Sequence, residues 1–360
     1  MASPCMGGLY PDACCVGALK GPAMNRRHFA LAAAALAALT LTAPSFAADE
    51  LRVMVHSSFA LPKPLLAQFE AENKVKLAIL KGGDAGEMLN KLILTKAQPV
   101  ADVVFGIDNT LVGKALAAGV LDASAVPNAD AHLGAALAAV DFGFVNLNYD
   151  KATVAKSGVA LPKTLQDLTL PAYKNWLVTP NPATSSTGYA FLLATISSMG
   201  EAKAFEWWAQ MRGNGLKVVK GWSEAYYTEF ARNKGAYPLV VSYATSPAAE
   251  VFYSKDKLTE SPTASLNLKG GVFRQVEGVG LVKGGAQRAA ALKFVEFMRS
   301  APVQEALQTE MWMYPVQAST ARAPVMQHAA EPTEFESPAA PLIASKGSEW
   351  VARWTKVVLK

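Results

Sequence analysis

Three strand-helix pairs follow one another in the first third of this chain, and their order restricts the fold more than any other feature. Leu51 to Val55 alternates apolar and polar residues as a strand does, and apolar positions recur at helical spacing from Pro64 to Glu70. The same pair recurs from Val75 to Thr95 and again from Asp102 to Ala118. Repeated β-α units predict a mostly parallel sheet flanked by helices.

The carboxyl ends of these strands are the first place to look for a binding site, because ligands of parallel sheets bind beyond those ends. They lie here at His56 to Phe59, at Lys81 to Asp84 and at Gly106 to Asn109. His56 and Asp84 are therefore candidate ligand-binding residues.

A second series of strands and helices begins after the long apolar run from Asp141 to Tyr149. Val276 to Val282 is extended in the same way and returns the chain to the first series. The chain thus crosses twice between the two series of elements. These crossings predict an α/β protein with two lobes and a hinge, each lobe a mostly parallel sheet flanked by helices. We expect an extension and export signal over 1–47, a first lobe over 48–143 and 278–330, a second lobe over 144–277, and a tail with a terminal helix over 331–360.

The N-terminal region is typical of a bacterial export signal peptide. Arg26 and Arg27 precede an alanine- and leucine-rich stretch that is shorter than the roughly 20 residues of a membrane span. Small residues around Ala47 suit a signal peptidase, and the paired arginines favour the twin-arginine route over the Sec route. Met24 begins a self-sufficient leader, so Met1 and Met24 both stay open as the start. We expect a periplasmic protein.

Charge and cysteine content narrow the possible partners. All three cysteines precede Met24, so the exported chain would hold no disulfide and no thiolate metal site. Removing residues 1–47 takes away three basic residues and one acid and leaves a formal net charge of +3. Nearly balanced charge without a basic run argues against a nucleic-acid partner. No histidine has the spacing of a metal site or a catalytic relay, and we expect neither a metal nor another cofactor.

The functional candidates are aromatic and hydroxyl side chains in turns at predicted strand ends. Most aromatic residues of a protein belong to its core, but those in turns beside Gly, Ser and Pro are more often binding residues. The polar turn before the helix predicted from Gly188 also offers N–H groups to an anion or an alcohol. The candidates in these turns are Ser185, Ser186, Trp222, Tyr226, Tyr243, Trp312 and Tyr314.

Four segments, in this order, give the chain a strong resemblance to the thiamine-binding periplasmic proteins: 101–109, 220–226, 242–247 and 312–316. These proteins are the solute receptors of thiamine ABC importers. The resemblance implies a type II periplasmic binding protein fold, a monomer, and thiamine or thiamine phosphate as the ligand delivered to the importer's permease. It also implies that aromatic faces stack on the ligand, that Asp84 pairs with its cation or its amine, and that Ser185 and Ser186 hold its hydroxyl or phosphate end.

This sequence departs from the family near the first strand, where the family often has Tyr-Asp and this chain has His56-Ser57. His56 can serve as a flat ring in that place, but a protonated histidine beside a cationic ligand would weaken binding. We therefore expect affinity to fall as the pH drops through an ordinary histidine pKa, near 6.5.

Two other functions stay open on the same fold. Adjacent Tyr226 and Tyr227 resemble the phenolate ligands of ferric-ion-binding receptors, although neighbouring side chains on a helix diverge by about 100°. A thiamine-related hydrolase or transferase would need a nucleophile in the cleft, and the sequence has neither a serine nucleophile elbow nor a serine with an evident base. We predict a binding protein rather than an enzyme.

Overall fold

The computed structural model describes residues 49–123, 126, 133–329 and 331–360. The predicted export signal and the extension before it lie outside the described residues. The strands are β1 (Asp49–Val55), β2 (Val75–Lys81), β3 (Val103–Asp108), β4 (Ala138–Asp150), β5 (Leu177–Pro180), β6 (Lys217–Val219), β7 (Leu239–Tyr243), β8 (Thr263–Leu266), β9 (Phe273–Leu281) and β10 (Tyr314–Pro315).

The α-helices alternate with these strands through most of the described chain. They are α1 (Lys63–Asn73), α2 (Ala85–Leu94), α3 (Val112–Ala118), α4 (Lys151–Ser157), α5 (Ser186–Met199), α6 (Glu201–Gly213), α7 (Trp222–Glu224), α8 (Ser246–Phe252), α9 (Arg288–Met298), α10 (Ala301–Glu310) and α11 (Ala340–Trp354). A π-helical segment, Ala225–Glu229, continues α7. Within the described ranges, every helix is too short or too polar to span a bilayer.

The strands form one sheet in the order β2-β1-β3-β9-β4-β7-β5-β6, and β8 and β10 each pair with β4. β1 pairs in parallel with β2 and β3 in the first lobe, and β5 pairs in parallel with β6 and β7 in the second. The two-lobed α/β fold predicted from the sequence is confirmed. Between the lobes, β4 and β9 are antiparallel and pair with each other, so the two sheets are continuous.

The predicted lobe boundaries, 143/144 and 277/278, fall inside β4 and β9. The first half of β4 pairs with β9, and its second half pairs with β7 and β8. β9 in turn pairs with β3 through its second half. These two long strands are therefore the connections between the lobes, and the exact boundaries stay predictions.

Helix α5 fixes one wall of the region between the lobes. Its first eleven residues are all buried, which is typical of a helix surrounded by protein rather than lying on a surface. Phe191 of α5 packs edge-on against Trp207 and Trp208 of α6, and this aromatic cluster anchors the helix in the second lobe. The buried first turn of α5 is thereby held rigidly in place.

The C-terminal helix is longer than predicted. Side-chain periodicity predicts one last amphipathic helix over Ser348 to Val358, whereas α11 begins at Ala340 and a π-helical segment follows it. Trp350 and Trp354 are buried, and the Trp354 ring meets Trp208 of α6 edge-on at 5.5 Å. The tail is thus packed on the folded domain, and none of its residues lines the cavity described next.

Candidate ligand-binding site

A cavity of about 280 Å³ lies between the lobes, and we call it the cleft cavity. Seven of the nine predicted site residues line it. Its walls also include residues that the sequence did not single out, such as Tyr253, Met311 and Met313. The predicted residues in its walls are His56, Asp84, Ser186, Trp222, Tyr226, Tyr243 and Trp312.

The other two predicted residues, Ser185 and Tyr314, do not line the cleft cavity. Ser185 is fully buried as the N-cap of α5, and its hydroxyl also hydrogen-bonds Asp84. Tyr314 is buried in a small core cluster, where its ring stacks on Phe142 of the neighbouring strand at 5.4 Å. The pairing of β10 with β4 turns Tyr314 into that core, so the structure places it away from a ligand in the cavity.

Trp222 is the centre of the aromatic wall. Its ring stacks on Tyr226, with centroids 5.3 Å apart and planes inclined by 24°, and it lies edge-on to Tyr243 at 6.2 Å. The indole N–H donates to the Ser242 hydroxyl at 2.8 Å. The Tyr243 hydroxyl lies 3.0 Å from that of Thr187. Because packing and hydrogen bonds fix both rings, the wall presents preorganised faces to a flat ligand.

The wall of the cavity also includes Trp312, whose φ of 60° lies in the left-handed region that non-glycine residues seldom adopt. Its ring packs edge-on against Phe252 at 5.3 Å and against Tyr253 at 5.5 Å. Strained backbone of this kind costs about 1–3 kcal/mol and occurs often at ligand clamps. The strain therefore favours a functional role for the ring that it positions.

Asp84 joins three helix N-termini across the cleft. Its carboxylate accepts hydrogen bonds from the backbone N–H of Ala85 at 2.7 Å, of Ser186 at 3.3 Å and of Trp222 at 3.0 Å. These residues begin α2 in the first lobe and α5 and α7 in the second. Burial nevertheless raises the pKa of Asp84, because the hydrogen bonds only partly offset the loss of hydration.

Three more acidic residues, Asp108, Asp141 and Glu277, are buried on neighbouring strands, and Glu277 lines the cavity. Burial raises the pKa of Asp108 to about 6 and that of Asp141 to about 8, and it raises the pKa of Glu277 well above its ordinary value. In the described part of the chain, no lysine or arginine forms a salt bridge with these acids or with Asp84. The site therefore contains buried acids whose charged forms a bound cation would stabilise.

His56 lies beside these acids but does not carry the charge that the sequence analysis considered. Its Nε2 is 3.7 Å from the Glu277 carboxylate, and burial, together with the charge of Lys81, lowers its pKa to about 4. The imidazole is thus neutral over the range in which we expected it to titrate. The expectation that His56 makes affinity depend on pH near 6.5 is wrong, because desolvation disfavours the imidazolium.

The family model of the bacterial extracellular solute-binding proteins matches residues 98–340. A thiamine-binding periplasmic protein of Escherichia coli strain K12 is 31% identical over 335 residues, which cover 89% of this chain and 97% of that protein. The chain belongs to this family of solute-binding proteins. A solved structure of a periplasmic thiamin binding protein is 28% identical, with a TM-score of 0.75, and the match covers 86% of this chain and 96% of that one.

A ferric binding protein from Campylobacter jejuni shares the fold of this solute-binding protein, with a TM-score of 0.68 at 18% identity over 85% of this chain and 99% of that one. The paired tyrosines are not arranged as iron ligands here. Tyr226 is buried and donates to Glu250 at 2.9 Å, whereas Tyr227 is 60% exposed and its ring is inclined by 78° to that of Tyr226. Burial raises the pKa of both phenols, which opposes the phenolate form that iron requires.

Thr245 and Glu277 are site residues that the sequence analysis missed. The Thr245 hydroxyl is fully buried in the wall of this solute-binding protein's cavity and has no hydrogen-bond partner among the described residues. An unpaired buried hydroxyl costs free energy, so a ligand that bonds it gains stability. Thr245 lies in the turn after β7 and could have been chosen with Tyr243. Nothing in the sequence marks Glu277, which sits in an apolar strand.

Proposed function

We propose that the protein is a non-catalytic periplasmic receptor that binds thiamine or a thiamine phosphate between its lobes and delivers it to the permease of an ABC importer. In this proposal the signal peptide directs twin-arginine export, and the mature chain acts as a monomer. The observation that carries the ligand class is a cleft cavity that combines aromatic faces with buried carboxyl groups and has no lysine or arginine among its described lining residues.

Each part of thiamine has a counterpart in this cavity. Flat pyrimidine and thiazolium rings suit the faces of Trp222, Tyr243 and Trp312, and each desolvated contact between a fixed cation and an aromatic face contributes about 0.5–2 kcal/mol. The buried acids supply negative potential for the thiazolium. A volume of about 280 Å³ is near the lower limit of known small-molecule sites, which favours one compact ligand.

The turn before α5 is where the phosphate end of the ligand is expected to bind. Asp84 already accepts from the N–H of Ser186 and of Trp222, so a phosphate at these groups would face a carboxylate. We therefore expect affinity not to rise from thiamine to its monophosphate or diphosphate. Isothermal titration calorimetry of the mature protein with the three ligands measures this order. A stepwise gain of tenfold or more per phosphate would contradict it.

Native mass spectrometry of freshly purified protein tests the ligand class itself. A thiamine receptor should carry, or take up on addition, a single small organic mass, whereas a ferric receptor should take up iron and develop the visible colour of a phenolate complex. Tyr227→Phe is the matched control, because it removes one of the two phenols that a phenolate iron site would need and keeps the aromatic ring that lines the cavity. Iron-dependent colour that this substitution removes, without any thiamine binding, would refute the proposal.

A further inference from the structure

Three acidic residues on adjacent strands form one row, and the middle one, Glu277, lines the cleft cavity. Asp108 of β3 is the register partner of Glu277 of β9, and Glu277 is the register partner of Asp141 of β4. Directly opposed residues project from the same face of a sheet with Cβ atoms about 5 Å apart. All three side chains are at most 5% exposed. The fold thus concentrates three carboxyl groups where water is largely excluded.

The three carboxyl groups differ in their partners. Asp108 accepts from the Thr110 hydroxyl at 2.6 Å and from the backbone N–H of Thr110 and of Leu111, each at 3.0 Å. Neither oxygen of Asp141 has a donor among the described residues. Glu277 lines the cavity. Asp108 is therefore satisfied locally, whereas Asp141 and Glu277 depend on each other or on a ligand.

Asp141 and Glu277 can hydrogen-bond each other only if one of them carries a proton, because two carboxylates are both acceptors. Burial raises the pKa of Asp141 to about 8, and burial together with repulsion from Asp141 raises the pKa of Glu277 well above its ordinary value. Such a pair holds one proton between two sites and titrates as a unit. Without a ligand, we therefore expect the pair to be at least singly protonated near neutral pH.

The titratable groups described around Glu277 carry no positive charge that could stabilise its carboxylate in place of the proton. Asp84 and Asp108 raise the pKa of Glu277 further by repulsion, and Tyr243 faces it as a neutral phenol. His56 is the nearest base, but burial and Lys81 keep it neutral above about pH 4. The unpartnered hydroxyl of Thr245 in the same cavity is independent evidence that a ligand completes this site.

We propose that Glu277, supported from behind by Asp141, is the counter-charge for the cationic ring of the ligand, and that the pair releases a proton to solvent when the cation enters the cleft cavity. This inference rests on the proposed function, because it assumes a ligand with a fixed positive charge. It assigns to two buried residues a role in choosing a cation over a neutral molecule of the same shape.

The proton balance fixes the sign of the pH dependence. The ligand enters as a cation. The Asp141–Glu277 pair loses a proton to the buffer, and its negative charge increases accordingly. Affinity therefore rises with pH between the pKa of the pair with ligand bound and that of the pair without ligand. Release of one proton gives a slope of about tenfold per pH unit, and the affinity is flat outside that window.

Calorimetric titration of the mature protein at one pH, in buffers with different ionisation enthalpies, counts the released protons. The ligands are thiamine and its neutral isostere in which carbon replaces the thiazolium nitrogen. We expect thiamine to release between about 0.3 and 1 proton at pH 7 and the isostere to release none. Equal proton counts for the two ligands, or no release by thiamine between pH 6 and 8.5, would overturn the proposal.

Two amide variants separate this role from a merely structural one. In Asp141→Asn, the new amide donates to the Glu277 carboxylate and a repelling acid is removed, so the pKa of Glu277 should fall, and both the proton release and the loss of affinity at low pH should shrink. In Glu277→Gln, the amide donates to Asp141, and release should shrink as well. The double variant should lose at least about tenfold of the preference for thiamine over the isostere. An unchanged proton count in either folded single variant would overturn the proposal.

Failure of this proposal is distinguishable from failure of the proposed function. If wild-type protein binds thiamine without releasing protons, the receptor function stands and the role of the acid pair falls. If wild-type protein binds neither thiamine nor its phosphates in any buffer, the receptor function itself fails. Circular dichroism spectra of the three variants, compared with that of the wild type, establish that each is folded before its titration is interpreted.

Discussion

Replacing Trp222 by alanine should weaken the binding of thiamine by about 30- to 150-fold. If roughly 50 Å² of one indole face covers the ligand, its loss costs about 1.2 kcal/mol at 25 cal/mol per Å². The lost contact between the cation and the ring adds about 0.5–2 kcal/mol. The total of about 2–3 kcal/mol converts to the stated change in Kd. The backbone N–H of Trp222 keeps its bond to Asp84, so the substitution removes the side chain alone.

Isothermal titration calorimetry at 25 °C measures this effect, and Trp222→Phe is the matched control. Phenylalanine retains an aromatic face and loses the indole N–H bond to Ser242, which is worth about 0.5–1.5 kcal/mol. We therefore expect less than about a tenfold change for this control. A Kd for Trp222→Ala within threefold of wild type, in protein shown by circular dichroism to be folded, would refute the stacking model of the site.

Three further substitutions test separate parts of the cleft. His56→Asn should leave the pH dependence of thiamine affinity between pH 5.5 and 8 unchanged, because His56 has a pKa of about 4 and is neutral throughout. Calorimetry over that range compares the variant with the wild type, and a weaker pH dependence in the variant would contradict this prediction. Gly86→Ala would place a Cβ 2.8 Å from the Thr184 carbonyl, so the lobes should not close fully, and thiamine affinity should fall at least tenfold although no wall residue changes. Asp84→Ala removes a helix cap, and urea titration should show about 0.5–2 kcal/mol less stability; an unaltered midpoint would contradict the cross-lobe role of Asp84.

Local pattern in the sequence was sufficient for the order of the main elements. Alternating strands and amphipathic helices follow from side-chain periodicity, which depends only on near neighbours in the chain, and the three strand-helix pairs predicted over Leu51 to Ala118 match β1 to β3 and α1 to α3. The short elements α4 and β8 were not predicted, because their seven and four residues contain too little periodicity to distinguish a helix or strand from a turn. The π-helical continuation of α7 was likewise invisible in the sequence.

The sequence also located most of the aromatic wall, because turns beside strand ends are where a doubly wound sheet presents ligand-binding residues. Trp222 and Tyr243 were accessible to that reasoning. Tyr314 was not distinguishable from Trp312, which stands two positions earlier in the same segment. Only the pairing of β10 with β4 and the left-handed backbone of Trp312 decide that one ring faces the cavity and the other enters the core.

Only the tertiary structure decided the electrostatics of the site. Asp84 finds its N–H partners 102 and 138 residues away in the chain, and the row of Asp108, Glu277 and Asp141 exists because three distant strands pair in one register. Burial, which depends on the whole fold, makes His56 neutral and lets the acids keep their protons. A sequence specifies the kinds of side chains available to a ligand, but their charges depend on the water that the folded chain excludes.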